Sequence, residues 1–179
     1  MKKIGCLLVL LIFISGCSVQ RVQYTSYIDT IYQVLEENIT LHNVSLEGYY
    51  YYLPKGASLL EKSETNSIIL YQGTKFYLYV DVVSYFHRTD NTFDIQEDSY
   101  YAKEINYDDK YGYLKITKFN GYYFVEYMYH YAKIEAYVEE EKIHDAIYQM
   151  SVILSSVHYH DKILESLIGS NVINYKEEN

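Results

Sequence analysis

Any chemistry in this chain has to come from a few histidines and carboxylates and from an excess of tyrosine. His158-x-His160-Asp161 sets two imidazoles at alternate positions, followed by a carboxylate. Alternate residues of an extended segment point the same way, so these three groups could converge on a divalent metal. The same residues also read as a polar break between two helices, with each imidazole in water. The second reading is the expected one, because two ligands and one neighbour do not complete a tetrahedral site. Glu126 and His130 lie two pleats apart on one predicted strand, and Asp81 and His87 lie on a predicted neighbour. A carboxylate–histidine pair of that kind could serve as a general base. No Gly-x-Ser-x-Gly, His-Glu-x-x-His or phosphate-binding loop accompanies them. The expectation is therefore no catalytic residue, no metal, no cofactor and no enzymatic activity.

The tyrosines are the chain's oddity: 25 of them, with no tryptophan. Tyr123, Tyr127, Tyr129 and Tyr131 share one face of a predicted strand. Exposed, such a platform could stack sugars or anchor a protein, since tyrosine is enriched at interfaces. Tyr123, Tyr127 and Tyr129 are the candidate contact residues. The competing reading, the favoured one for these rings, is that tyrosine serves as a large strand former with its ring in the core and its hydroxyl at the rim.

The remaining composition bounds the answer. At 179 residues and 49% hydrophobic, the chain can bury a core without a metal or disulfide staple. With 15 basic and 24 acidic residues the net charge is −9. That argues against nucleic acid, whose phosphates need a basic face. Met1-Lys2-Lys3 precedes a short apolar run from Ile4 to Ile14. The run has about 11 residues where a membrane span needs about 20, so it reads as a secretory signal. It ends Ile14-Ser15-Gly16-Cys17, which resembles the bacterial lipobox. The resemblance implies diacylglyceryl transfer to the Cys17 thiol and cleavage between Gly16 and Cys17. Loss of residues 1–16 removes Lys2, Lys3 and no acid, which moves the charge from −9 to −11. Cys6 leaves as well, so no disulfide or thiolate cluster is expected. Two acyl chains would anchor the protein to the extracytoplasmic face of the bacterial cell membrane. Asn38-Ile-Thr40 and Asn43-Val-Ser45 match a glycosylation sequon, an accidental match in a bacterial lipoprotein.

These segments must be positioned by the elements that follow. Residues 17–23 form a lipidated tether reaching only about 20 Å, residues 24–169 a single domain, and residues 170–179 a polar tail. Apolar residues at helical spacing predict a helix over 24–37, with Ser26-x-x-Asp29 as a capping box. Strands are predicted over 49–53, 67–71 and 75–87. In the last, Phe76, Leu78, Val80, Val82, Ser84 and Phe86 form the core face. Residues 88–98 read as loop and 99–105 as a short helix. Asn120-Gly121 predicts a tight hairpin between strands over 113–118 and 122–131. A straight strand from 122 to 138 would be about 56 Å long, so a bulge or turn is expected near Ala132. A long helix is predicted over 139–157, then a short one from Asp161 to Ile168 stopped by Gly169.

The order predicts an α+β sandwich, an antiparallel sheet covered by N- and C-terminal helices. Three features resemble the PsbP, Mog1 and DcrB-like group. They are an aromatic strand running into a proline at 48–54, two hairpin-rich strand sets, and an aliphatic helix ending Ile153-Leu154-Ser155-Ser156-Val157. Members of that group mostly bind or help assemble protein partners, and a fold by itself does not fix function. The expected function is a non-enzymatic protein-interaction or assembly module close to the membrane, with a membrane-associated protein as partner. Such a module predicts an exposed apolar patch on a sheet face or edge. The alternative is a lipoprotein that binds a small lipid or glycan, which predicts an enclosed pocket. An enzyme would instead show a cleft with convergent titrating groups.

Overall fold

The computed structural model describes residues 26–90, 92–93 and 99–168. Gly16 and Cys17, the tether and the polar tail lie outside the described residues. The chain is an α+β protein with antiparallel sheets, in which two helices and a small sheet cover one face of a large sheet.

The first helix, α1, runs Tyr27–Glu36 and is capped as its sequence predicts: the Ser26 hydroxyl accepts the Asp29 amide proton at 3.2 Å. Its apolar stripe buries Ile31, Val34 and Leu35. The short strands β1 (Val44–Ser45) and β2 (Tyr49–Tyr51) follow, then β3 (Ala57–Lys62), β4 (Asn66–Tyr71) and β5 (Thr74–Val80). β5 ends where a longer strand was expected. The Asp81 carboxylate accepts from the Ser84 amide at 2.9 Å and from the Ser84 hydroxyl at 2.8 Å, capping a helix α2 over Val82–His87. The cap satisfies amides that alternation alone would have sent to a ladder. Ser84 and Phe86 therefore leave the core face that Phe76, Leu78 and Val80 keep, while Val82 stays packed against the core from α2.

Residues predicted as a short helix form instead a strand, β6 (Tyr101–Tyr107), which pairs with β7 (Lys110–Phe119) around an Asp108-Asp109 turn. β8 (Tyr122–Tyr129) and β9 (Ala132–Val138) complete the meander, the first joined through Asn120-Gly121 as expected. The break between β8 and β9 is a tight turn at His130-Tyr131, both at positive φ. A 3₁₀ turn (Glu140–Lys142) then leads into α3 (Ile143–Ser155), β10 (His158–Tyr159) and a final helix, α4, over 161–168.

The large sheet has the order β3-β4-β5-β9-β8-β7-β6, and the small one β1-β2-β10. α1 packs on α3, and α3 packs on β8 and β9. The small sheet covers the same side: Tyr49 and Tyr51 are buried next to Ser67 of β4. All the core lies between these layers, with Leu114, Ile116, Val125, Ile134 and Ala136 from the sheet facing Ile143, Ile147, Met150 and Ile153 of α3. Among the described residues no helix is long and apolar enough to cross a membrane.

Candidate functional site: the uncovered face of the large sheet

Among the described residues no helix packs on the large sheet's second face. Its register places residues in rows across the strands. One row runs Ile68, Tyr77, Glu135, Glu126, Lys115; a second runs Asn66, Tyr79, Lys133, Met128, Tyr113. Tyr137, Phe124 and Thr117 form a third, and Tyr122 opposes Phe119 at the hairpin end. Tyr77, Tyr79, Phe119, Tyr122 and Tyr137 are 41–56% exposed, far more than a core-facing ring retains. The aromatic groups touch one another: Phe124 and Tyr137 have ring centroids 4.8 Å apart, and Phe119 and Tyr137 6.2 Å apart. Phe93 stacks on Tyr113 at 3.9 Å, so part of the segment after α2 lies against this face.

Polar groups between the rings are paired. Lys133 and Glu135 form an ion pair at 2.6 Å, and the Tyr113 hydroxyl donates to Glu126. Burial pulls the Lys133 ammonium down, but Glu135 and then Glu126 outweigh it and leave its pKa raised. Burial and the Glu126 carboxylate hold the Tyr113 phenol above its ordinary range. The face is thus a broad platform of rings, one thioether and compensated charge.

The sequence-predicted residues are distributed differently. Tyr123, Tyr127 and Tyr129 lie on the opposite, covered face, 3%, 0% and 4% exposed. They are core, and a docking surface through them is ruled out by α1 and α3 above them. The reason is parity: Val125 shares their face, whereas Glu126 lies on the other one. Glu126 was the marker that could have identified the outer face, since an uncompensated carboxylate does not enter a core. It brings Phe124 and Met128 out with it. Phe119, Tyr122 and Tyr137 are the residues that sequence reasoning missed.

His158 and His160 do point the same way, but the Tyr50 ring stands between them. Its centroid is 5.3 Å from His158, stacked at 5°, and 4.9 Å from His160; His42 adds a third imidazole at 4.5 Å. Asp161 is engaged elsewhere, accepting from the Tyr85 hydroxyl at 2.8 Å. Among the described residues no group of three or more histidine, cysteine or acidic side chains is arranged to hold a metal. Glu126 faces outward from the middle of β8, while His130 has left the strand for the turn. Asp81 is a helix cap, and His87 is exposed in the last turn of α2. The predicted carboxylate–histidine pairs are therefore not built on a common strand face. Compared with known families, curated proteins and solved structures, the chain finds no match.

Proposed function

We propose that this is a bacterial cell-envelope lipoprotein, anchored through acyl chains on Cys17, whose folded domain is a non-enzymatic docking module for a membrane-associated protein. The observation that supports it is the aromatic outer face of the large sheet, on which five large rings stay exposed while both long helices pack on the other side. An antiparallel sheet can leave one face wet, but that face is then ordinarily polar. A row of tyrosines and phenylalanines there suits a broad protein surface better than a small molecule, because its two hollows, about 310 Å³ beside Tyr77 and Tyr137 and about 240 Å³ beside Tyr79 and Tyr113, lie open to water. The helix-covered antiparallel sheet is also compatible with the PsbP, Mog1 and DcrB-like arrangement, which we propose as its architectural type. A short lipidated tether would keep the face in a thin layer near the bilayer. That confinement raises the effective concentration of a membrane-bound partner, so a modest interface could be occupied.

Two experiments test the reading. Metabolic labelling with a fatty-acid analogue is expected to mark the wild type and not Cys17→Ser; label on the variant would refute the anchor. A photo-crosslinking side chain at Tyr137 in the full chain in membranes is expected to give a discrete protein adduct. The same group at Glu36, on the exposed side of α1, is expected to give none. Equal adducts from both positions would refute the outer face as the docking surface.

A further inference from the structure

Three separate segments close around a cavity of about 290 Å³ at one end of the large sheet. The end of α2 brings Tyr85, Arg88 and Thr89. The β6–β7 connection brings Lys110 and Tyr111, and the β8–β9 turn brings His130 and Tyr131. The backbone here is built against its preferences. Of the eight described non-glycine residues at positive φ, four line this cavity: Arg88, Asp109, His130 and Tyr131. Two other hairpins of the sheet place a glycine second in the turn, at Gln72-Gly73 and Asn120-Gly121. The β8–β9 turn sets a histidine and a tyrosine at those positions, at φ 47° and 65°. Left-handed conformations are costly for such side chains and persist only where surroundings fix them. The surroundings do so. The His130 amide donates to the Tyr111 carbonyl at 2.9 Å, the Tyr159 hydroxyl donates to the His130 carbonyl at 2.8 Å, and the Asp81 amide donates to the Tyr131 carbonyl at 2.8 Å. The imidazole is held edge-on to Tyr85 and to Tyr159, each 5.6 Å away, and those two rings stack at 3.6 Å.

The charges are as unusual as the backbone. Arg88 is the only arginine among the described residues of an acidic chain. Among those residues the ion pairs are Lys133–Glu135 and Lys142–Glu139, so no carboxylate of the described residues stands at contact distance from Arg88 or Lys110. Asp90 and Asp109 also line the cavity and, like Arg88, are exposed to water, while Lys110 is half-buried. At the imidazole the cations prevail: burial first, then Lys110, His158 and Arg88, hold His130 down to about 4. It is therefore neutral near pH 7, with one ring nitrogen donating and the other accepting.

We propose that this cavity binds a small oxyanion, a phosphate or carboxylate group, gripped by Arg88 and Lys110 with the His130 imidazole as a further hydrogen-bond donor. The guanidinium fork suits both groups, and the neutral imidazole keeps one N–H that can donate to a bound oxygen. The site stands apart from the aromatic outer face and does not depend on its role.

The test is an NMR titration of the His130 ring in the full-length protein in detergent. Inorganic phosphate and acetate are added separately at constant ionic strength set with chloride. A saturable shift is expected, together with a rise of the His130 pKa from about 4, because a bound anion offsets Lys110, His158 and Arg88. A response to phosphate alone identifies a phosphate site and a response to acetate alone a carboxylate site; equal responses identify a site for either group. Arg88→Gln and Lys110→Gln are each expected to weaken binding about tenfold. Arg88→Lys, which keeps the charge but loses the fork, is expected to lose less. Thermal melts of these three variants are expected to match the wild type. No saturable shift with either anion would overturn the proposal, as would unchanged affinity in a folded Arg88→Gln protein.

Discussion

The two faces of the large sheet use the same residue for opposite purposes. On the covered face Tyr123, Tyr127 and Tyr129 stand among Leu114, Ile116, Val125 and Ile134 under α3. On the outer face Tyr77, Tyr79, Tyr122 and Tyr137 are about half exposed. Strand alternation alone makes the assignment: Tyr123 goes in, Phe124 goes out, and the pattern repeats through Tyr129. The two sets differ most at the hydroxyl. Tyr129 reaches the Tyr107 carbonyl at 3.1 Å, and Tyr127 lies beside Ser151, whose own proton goes to the Ile147 carbonyl at 2.7 Å. A phenol there is acceptable only while it stays neutral. Tyrosine content therefore carries no information about a surface until each ring's parity is known.

Alkali should break the comparison most completely. Burial holds the phenols of Tyr49, Tyr127, Tyr129 and Tyr159 above their ordinary value of 10. Above that pH the unfolded chain gives up these protons and the folded chain keeps them. Linkage then makes stability fall with rising pH, whereas below 10 these groups leave it unchanged. Tyr127 alone contributes a fall of about 1.4 kcal/mol per pH unit. Denaturant midpoints are expected to drop steeply beyond pH 10, ending in unfolding. A flat profile would mean that the inner rings reach water.

Point substitutions come next in size. Tyr127→Ala is expected to cost about 3–5 kcal/mol by leaving a cavity under α3. Tyr127→Phe removes only the hydroxyl and is expected to stay within about 1 kcal/mol of wild type. Gly112→Ala tests how closely β7 and β8 approach. A Cβ there would stand 2.3 Å from the Met128 carbonyl oxygen and 3.0 Å from the Tyr129 Cα, both backbone atoms. Only a shift of the ladder could relieve it, so a loss of about 1–3 kcal/mol is expected in chemical denaturation.

The parts of this architecture that sequence reveals are those with a covered face. α1 and α3 have continuous apolar stripes, and Asn120-Gly121 states its turn in two residues. Within the large sheet the strands that escaped, β3 and β6, are its two edges. β6 buries only Ile105 fully, so its Lys103-Glu104 centre reads as well for a helix as for a strand. The β5–α2 boundary was hidden because Val82, Ser84 and Phe86 continue the alternation through a helix cap. His130 could be noticed in the sequence only as a histidine; the cavity around it comes from three segments that meet in space. The outer face was readable in principle from Glu126, Lys133 and Glu135, whose charges fix which side of each strand is wet.

The smallest effect on stability is expected where the proposed function is concentrated. Tyr137 and Phe119 are more than half exposed and touch mainly each other and Phe124. Removing either ring by Tyr137→Ala or Phe119→Ala takes little apolar area out of the fold, so thermal melts are expected to shift by no more than about 0.5 kcal/mol. The same truncations are expected to weaken partner capture in membranes by about tenfold, because rings at an interface centre are the groups whose loss costs binding most. The two measurements separate the alternatives cleanly. Stable variants that capture the partner as well as the wild type would leave the outer face with no docking role. Variants destabilised by several kcal/mol would show that the outer rings are a second packing layer. Stability retained with capture lost is the combination that distinguishes a surface kept aromatic for a partner from one kept aromatic for the fold.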